Sequence, residues 1–169
     1  MMYAASVPEN EDLITHMAAT GADMSVRDAN NRTVLHYLCG SHRSTSADTL
    51  AALLESMTPG ELRQTVNIVD NETQTAFHFA AKNGKEALAE VLWQYKAELI
   101  VDKAGYTPLH LLMLSGANWC TKLVLEQAPR DKLLYRDQYQ RTYLHWFVAQ
   151  SVAHQWNDSQ LMQPLLQIP

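Results

Sequence analysis

"DKAGYTPLHLLMLSGA", residues 102–117, combines a glycine-containing turn, a Thr-Pro pair and an apolar run that includes His110. Thr107 is a residue type that caps helix N-termini. Pro108 suits the first helical position because its missing N–H would have no partner there. The stretch therefore predicts a turn followed by a helix that begins near Thr107 and carries the histidine.

Three other segments share this pattern. They begin at Asp28, Asp70 and Asp137, and together with the segment at Asp102 they fit D-x-x-x-x-T-x-[LF]-H. Their histidines, at positions 36, 78, 110 and 145, are separated by 42, 32 and 35 residues, which indicates a repeat with one expanded member. After Gly84, apolar residues recur at 88, 91, 92 and 95 with helical spacing. Each unit is thus predicted to be a pair of short helices that needs stacked neighbours to complete its core.

The bulk composition is that of one ordinary globular domain. The chain has 169 residues, of which 47% are hydrophobic and 18% are charged. It contains no apolar run of the roughly 18 residues that a membrane span needs, and its N-terminus lacks the pattern of a secretory signal. We expect a soluble, intracellular protein, in the cytoplasm or the nucleus.

Charge and cysteine content exclude two further classes. Residues 1–102 hold 14 acidic and 7 basic side chains, whereas residues 103–169 hold 4 and 6, so no strong basic footprint for nucleic acid exists. Cys39 and Cys120 are far apart and in no paired spacing. We therefore expect reduced, buried thiols, not a disulfide framework or a metal site.

These repeats resemble the ankyrin repeat. The match is fullest at Asp102, Gly105, the T-P-L-H of 107–110 and Gly116, and TGADMSVRD at 20–28 is similar to the family's hairpin. The resemblance implies an all-α solenoid of stacked helix-turn-helix units with β-hairpin-like finger loops, in a single domain over 1–169. The predicted units are a partial repeat at 1–27, a repeat with insertions at 28–69, repeats at 70–101 and 102–136, and a divergent or incomplete repeat at 137–169.

Several stretches depart from the regular pattern. Thr58, Pro59 and Glu61 form a capping-box start that predicts a short extra helical turn after the second helix of the expanded unit. The last unit carries an insertion and Pro164, which should kink or shorten its final helix. Both ends fall inside a repeat, so we expect either a fragment of a longer protein or unusual end caps.

No catalytic, metal or cofactor site is predicted. The four repeated histidines are expected to form hydrogen bonds between adjacent units, and His16, His42 and His154 are scattered across three units. The chain lacks a nucleophile motif and a glycine-rich phosphate loop. We therefore expect a protein that is not an enzyme and has no small-molecule substrate.

The resemblance implies a protein–protein interaction module, such as a scaffold or adaptor, that binds through a concave face of hairpin tips and first helices. Carried over by position, the candidate partner-binding residues are Arg32, Glu72, Gln74, Lys82, Asn83, Lys103, Tyr106, Leu114, Tyr139, Arg141 and Gln150. Tyr106, Tyr139 and Arg141 either form a hot spot or pack on one another or on a following repeat. Trp119 either marks a contact on the convex face or lies flat over a neighbouring helix.

Two alternatives remain open from the sequence. The chain could be the targeting segment of a larger multidomain enzyme, or of a pathogen effector acting in the host cytoplasm, whose catalytic domain lies outside it. It could also be a structural spacer without a hot spot. A spacer predicts that joint substitution of Tyr106, Tyr139 and Arg141 leaves every captured partner bound.

Overall fold

The computed structural model describes residues 14, 16, 19–41, 45–117, 122–123, 126–128, 134–143, 145–146 and 148–149. Within them the helices with defined bounds are α1 (Val34–Gly40), α2 (Ala47–Glu55), α3 (Pro59–Val66), α4 (Ala76–Lys82), α5 (Glu86–Gln94) and α6 (Pro108–Ser115). No strand occurs among these described residues. The helices found there are also too short to cross a membrane.

The first helix of each regular unit begins where the repeat predicts it. The N-caps of α1, α4 and α6 are Thr33, Thr75 and Thr107. Pro108 is the first residue of α6, and Gly116 ends that helix in the left-handed region with φ of +77°. The prediction from the Thr-Pro pair is therefore confirmed.

The units stack first helix on first helix and second helix on second helix. In the first layer α4 packs against both α1 and α6, and in the second layer α2 packs against α5. The side chains between the layers form one continuous apolar core. Its largest fully buried members include Leu35, Leu50, Phe77, Leu92, Leu109, Met113 and Tyr143. Each unit thus completes its core on its neighbours, as a stacked array requires.

The expanded unit contains an additional helix, α3. Thr58 is its N-cap, the Thr58 N–H donates to Oε2 of Glu61 at 2.9 Å, and the Glu61 N–H donates back to Oγ1 of Thr58 at 3.4 Å. The predicted capping box is confirmed, although the helix runs for eight residues, which is more than the single turn expected. A cavity of about 340 Å³ separates α3 from residues 21–25.

Cys39 is a free thiol that lies in the core. It has no exposed surface, and burial raises its pKa to about 12. A thiol in this state stays protonated at neutral pH and is unreactive. The predicted burial is confirmed for Cys39, whereas Cys120 lies outside the described residues.

Candidate interaction face

Each unit begins with a turn that an aspartate holds in shape. We call residues 28–32, 70–74, 102–106 and 137–141 the aspartate turns. In all four, Oδ1 of the first residue accepts the backbone N–H groups two and four residues later at 2.8–3.0 Å. The N–H of the same aspartate donates to the carbonyl of the last residue. These bonds fix the backbone, including a residue with positive φ in each turn, so the tip side chains stand on a rigid support.

His36 and His78 link consecutive units. In each, Nδ1 accepts the N–H of the capping threonine, at 3.1 and 3.0 Å. The ring proton is therefore on Nε2, which donates to the carbonyl of Gln74 and Tyr106 respectively, at 3.0 and 3.3 Å. The predicted hydrogen bond between units is confirmed at these two positions. Burial lowers the pKa of both rings, to about 4 for His78, so they are neutral at pH 7.

His110 departs from this pattern. Its Nδ1 accepts the Thr107 N–H at 3.1 Å, but its buried Nε2 has no partner among the described residues. The predicted bond to the next unit is therefore wrong for His110. Tyr143, which occupies a position held by Val34, Ala76 and Pro108 in the other units, explains the difference. Its buried ring lies 4.3 Å from the His110 ring and its hydroxyl lies 2.6 Å from Oγ1 of Thr107.

Neighbouring turns are also joined directly. The Asn71 N–H donates to the Asn30 carbonyl at 3.0 Å, and the Lys103 N–H donates to the Glu72 carbonyl at 3.1 Å. These backbone bonds align the first three turns in one row.

Arg32 and Gln74, two of the predicted partner-binding residues, reach across to the next unit. Nε of Arg32 donates to Oδ2 of Asp70 at 3.3 Å, and Nε2 of Gln74 donates to Oδ2 of Asp102 at 2.8 Å. The guanidinium of Arg32 also lies 5.1 Å from the ring centre of Phe79. Both side chains therefore help to set the spacing between units.

Glu72 and Lys103 are the most accessible predicted residues on the middle turns. Their side chains are 65% and 61% exposed, and Oε1 of Glu72 lies 3.9 Å from Nζ of Lys103. An ion pair this exposed contributes little to stability. Both charges can therefore be redirected to a partner at small cost.

The predicted helix positions lie at the ends of α4 and α6. Lys82 is exposed, and Leu114 is 39% exposed, which is unusual for a leucine in this core-forming helix. Asn83 donates from Nδ2 to the Cys39 carbonyl at 3.2 Å and thereby ties α4 to α1. Gln150 and Trp119 lie outside the described residues.

Tyr106, Tyr139 and Arg141 form one packed cluster around Trp146. The Tyr106 ring is half-buried, 5.9 Å from that of Trp146. The guanidinium of Arg141 lies 4.2 Å from the Trp146 ring centre and 4.6 Å from that of Tyr139. Tyr139 is 64% exposed and forms the outer surface of the cluster.

Asp137 anchors this cluster. Its Oδ2 accepts from Nε of Arg141 at 2.7 Å and from Nε1 of Trp146 at 3.0 Å. Desolvation acts to raise its pKa, but hydrogen bonds from the backbone and side chain of Arg141 outweigh that effect and lower it to about 2. The carboxylate therefore remains ionised and holds the guanidinium in place.

The repeated aspartates are visible in the sequence, but their hydrogen bonds to the turn backbone are seen only in the structure. An aspartate that precedes a turn by this spacing favours hydrogen bonds between its side chain and the turn backbone, and this spacing is visible in the sequence.

No group of three or more potential metal ligands occurs in the part of the chain that the structure describes.

The sequence matches the family model of ankyrin repeats in three copies, over residues 1–101 and 47–133. It is 34% identical to inversin of Mus musculus, 33% to that of Homo sapiens and 32% to that of Canis lupus familiaris, each over 153 residues. Each alignment covers 88% of this chain but only 14% of the relative. The stacked helix pairs and the repeated T-x-[LF]-H helix starts confirm the all-α repeat solenoid, and this chain belongs to the ankyrin-repeat family.

Proposed function

We propose that this chain is a protein–protein interaction module that binds one partner protein through its finger face. The finger face is the surface formed by the tips of the aspartate turns together with Lys82 and Leu114, which lie at the exposed ends of α4 and α6. Ankyrin repeats are in general protein-interaction modules, and the family resemblance implies that this face is concave. The observation that carries the proposal is the presence of accessible side chains on a hydrogen-bonded, rigid row of turns.

Rigidity matters because binding is opposed by the entropy of ordering loops and side chains. The turn backbones are already fixed by Asp28, Asp70, Asp102 and Asp137, so a partner that docks on them has little backbone to immobilise. The exposed side chains on this support differ from turn to turn, with a carboxylate at Glu72, an amine at Lys103 and a phenol at Tyr139. Such variation on a constant backbone is a means of selecting a partner.

Site-specific photo-crosslinking tests the proposal. A benzophenone side chain is introduced at Leu114 or Tyr139 on the finger face, and at Ala52 or Gln94 as exposed controls on α2 and α5. The full chain is irradiated in cytoplasmic and nuclear extracts, and adducts are identified by mass spectrometry. We expect one specific adduct at the finger-face positions and none at the controls. Equal labelling at all four positions, or labelling only at the controls, would contradict the proposal.

We further propose an intracellular location. Adducts formed in the cytoplasmic extract or in the nuclear extract would indicate in which of the two compartments the partner lies. No observation favours the alternative in which the chain targets an enzyme. The whole inversins are much longer than this chain, so the proposal concerns only the interaction made by the residues described above.

A further inference from the structure

Arg141 is held in one orientation by its own turn. Its Nε donates to Oδ2 of Asp137 at 2.7 Å, and its guanidinium lies against the rings of Tyr139 and Trp146. Asp137 is 2% exposed and accepts further bonds from two backbone N–H groups and from the Trp146 indole, so it cannot easily move away. A long side chain that would otherwise lose much conformational freedom on binding is therefore already ordered.

The outer edge of this guanidinium remains available. Nη1 and Nη2 of Arg141 have no hydrogen-bond partner among the described residues, and the side chain is 39% exposed. Because Nε is directed to Asp137, the edge that carries both Nη atoms is the one left for a ligand. Two parallel N–H donors on one edge match the two oxygens of a carboxylate.

The charge of the part of the sequence that contains Arg141 favours an anion. Residues 103–169 have two more basic than acidic side chains, whereas residues 1–102 have seven more acidic than basic ones. The neighbouring Arg136 side chain is also exposed, with Nη1 3.4 Å from the Gln140 carbonyl of the same turn. Both oxygens of Asp137, the carboxylate that pairs with Arg141, are already occupied by hydrogen bonds.

Arg32 holds the equivalent place in the first turn but differs in two respects. It stacks on a single ring, that of Phe79, and its Nε crosses to the next unit. Its guanidinium pairs with Asp70, and its charge also acts to lower the pKa of the nearby Asp28 carboxyl, so two negative charges there oppose a third carboxylate. The arrangement at Arg141 is therefore the better anion site.

We infer that Arg141 binds an aspartate or glutamate side chain in an acidic segment of the partner protein, with Tyr139 as the adjoining apolar contact. This inference rests on the proposed function, since it names the chemistry of the segment that the finger face takes. It also assigns Asp137 as the residue that positions the guanidinium, without contact with the ligand.

A peptide selection tests the inference. A phage-displayed library of random peptides is panned on the full chain, and the best peptide is synthesised with a fluorescein label, both as selected and with its acidic residues changed to the matching amides. Anisotropy gives the Kd of each peptide. The protein variants are Arg141→Gln, Arg141→Lys and, as the matched loss of one exposed positive charge on α3, Arg63→Gln. Thermal unfolding of each variant checks whether the fold is retained.

We expect aspartate and glutamate to be enriched in the selected peptides. Loss of a bidentate, charge-assisted contact in Arg141→Gln should weaken binding about tenfold. Arg141→Lys keeps the charge but loses the fork, so it should recover only part of the affinity. Arg63→Gln should stay within about twofold of the wild type.

Absence of acidic enrichment, equal affinity for the acidic and amide peptides, or an unchanged Kd in Arg141→Gln would each overturn the inference. If crosslinks nevertheless form at Leu114 and Tyr139, the proposed function stands and only the acidic partner is wrong. If neither the crosslinks nor the acidic selection succeeds, both proposals fail.

Discussion

The ring of His110 lies 4.3 Å from the ring of Tyr143, and Nε2 of that histidine has no hydrogen-bond partner in the described part of the chain. In the two preceding units the same atom donates to a carbonyl of the following unit. The third junction therefore depends on aromatic packing and on the bond between Tyr143 and Thr107, where the earlier junctions use a histidine–carbonyl bond.

The two histidines should consequently differ in their contribution to stability. His78→Leu removes a bond to the capping threonine and a bond to Tyr106, whereas His110→Leu removes only the first and eliminates an unpaired nitrogen. We expect His78→Leu to cost about 1–2 kcal/mol more than His110→Leu in the free energy of unfolding. Urea denaturation of both variants measures the difference. An equal cost, or a larger cost for His110→Leu, would show that the unpaired nitrogen is satisfied in solution.

Acid should destabilise the protein over two pH ranges. Burial lowers the pKa of His78 and His110 to about 4, so the unfolded chain binds more protons than the folded one between about pH 6.5 and 4. The contribution of each ring to the free energy of unfolding is therefore fully present above about pH 6.5. It decreases as the pH is lowered, by as much as about 3 kcal/mol for each ring. The lowered pKa of Asp137, about 2, adds a further loss below about pH 4.

Urea denaturation at several pH values, with an NMR titration of the imidazole protons, checks this dependence. The matched control is His78→Leu, whose stability should fall less steeply with acid because one titrating group is missing. Ring protons of His78 or His110 that titrate with an ordinary histidine pKa would contradict the expectation.

Gly105 should tolerate no side chain. Its φ is +82°, and a Cβ there would lie 2.7 Å from the backbone nitrogen of Gln138 in the next turn. We expect Gly105→Ala to destabilise the protein by about 2 kcal/mol or more, since it combines backbone strain with a clash against main chain. Thermal and urea unfolding give the value.

Two other glycines separate these causes. Gly116 has a φ of +77° but no atom within 4 Å of the place that a Cβ would take, so Gly116→Ala should cost only the strain, about 1 kcal/mol. Gly60 lies in α3 with open space around it, and Gly60→Ala should stabilise that helix by about half a kcal/mol. Equal costs for Gly105 and Gly116 would mean that the third and fourth turns lie too far apart in solution for this clash.

Replacing an aspartate by asparagine should have different effects in the third and fourth turns. At Asp137 the new amide NH₂ would face Nε of Arg141 and Nε1 of Trp146, which can only donate, so Asp137→Asn should cost about 1–3 kcal/mol. At Asp102 the partner is the Gln74 amide, which can turn its oxygen toward the new NH₂. Asp102→Asn should therefore cost less than about 1 kcal/mol. A comparable loss in both variants would show that charge, and not donor–acceptor matching, governs these turns.

The sequence was sufficient to predict the elements that local chemistry determines. Thr107 and Pro108 specify a helix start through capping and backbone geometry alone. Helical spacing after Gly84 likewise predicts α5, where Leu88 and Leu92 are buried. The extra helix α3 follows from the capping box of Thr58 and Glu61.

Local sequence patterns do not predict the lateral contacts between units. Whether Arg32 faces a partner or Asp70 depends on the distance between two turns, which no local pattern encodes. The prediction for His110 failed for the same reason, because a bulky Tyr143 on the following unit changes which atoms meet. The signal was present, since an aromatic residue at a position otherwise held by valine, alanine and proline is unusual within this repeat.

The change of contact at Tyr143 makes the joints of the array unequal. A hydrogen bond such as that from His36 to the Gln74 carbonyl restricts both distance and angle. The third joint has a directional bond of its own, between the Tyr143 hydroxyl and Oγ1 of Thr107, but among the described residues no backbone bond joins its two turns as Asn71 and Lys103 join the earlier ones. Because this joint has fewer backbone links, the array will adjust its curvature mainly there, next to Tyr139 and Arg141.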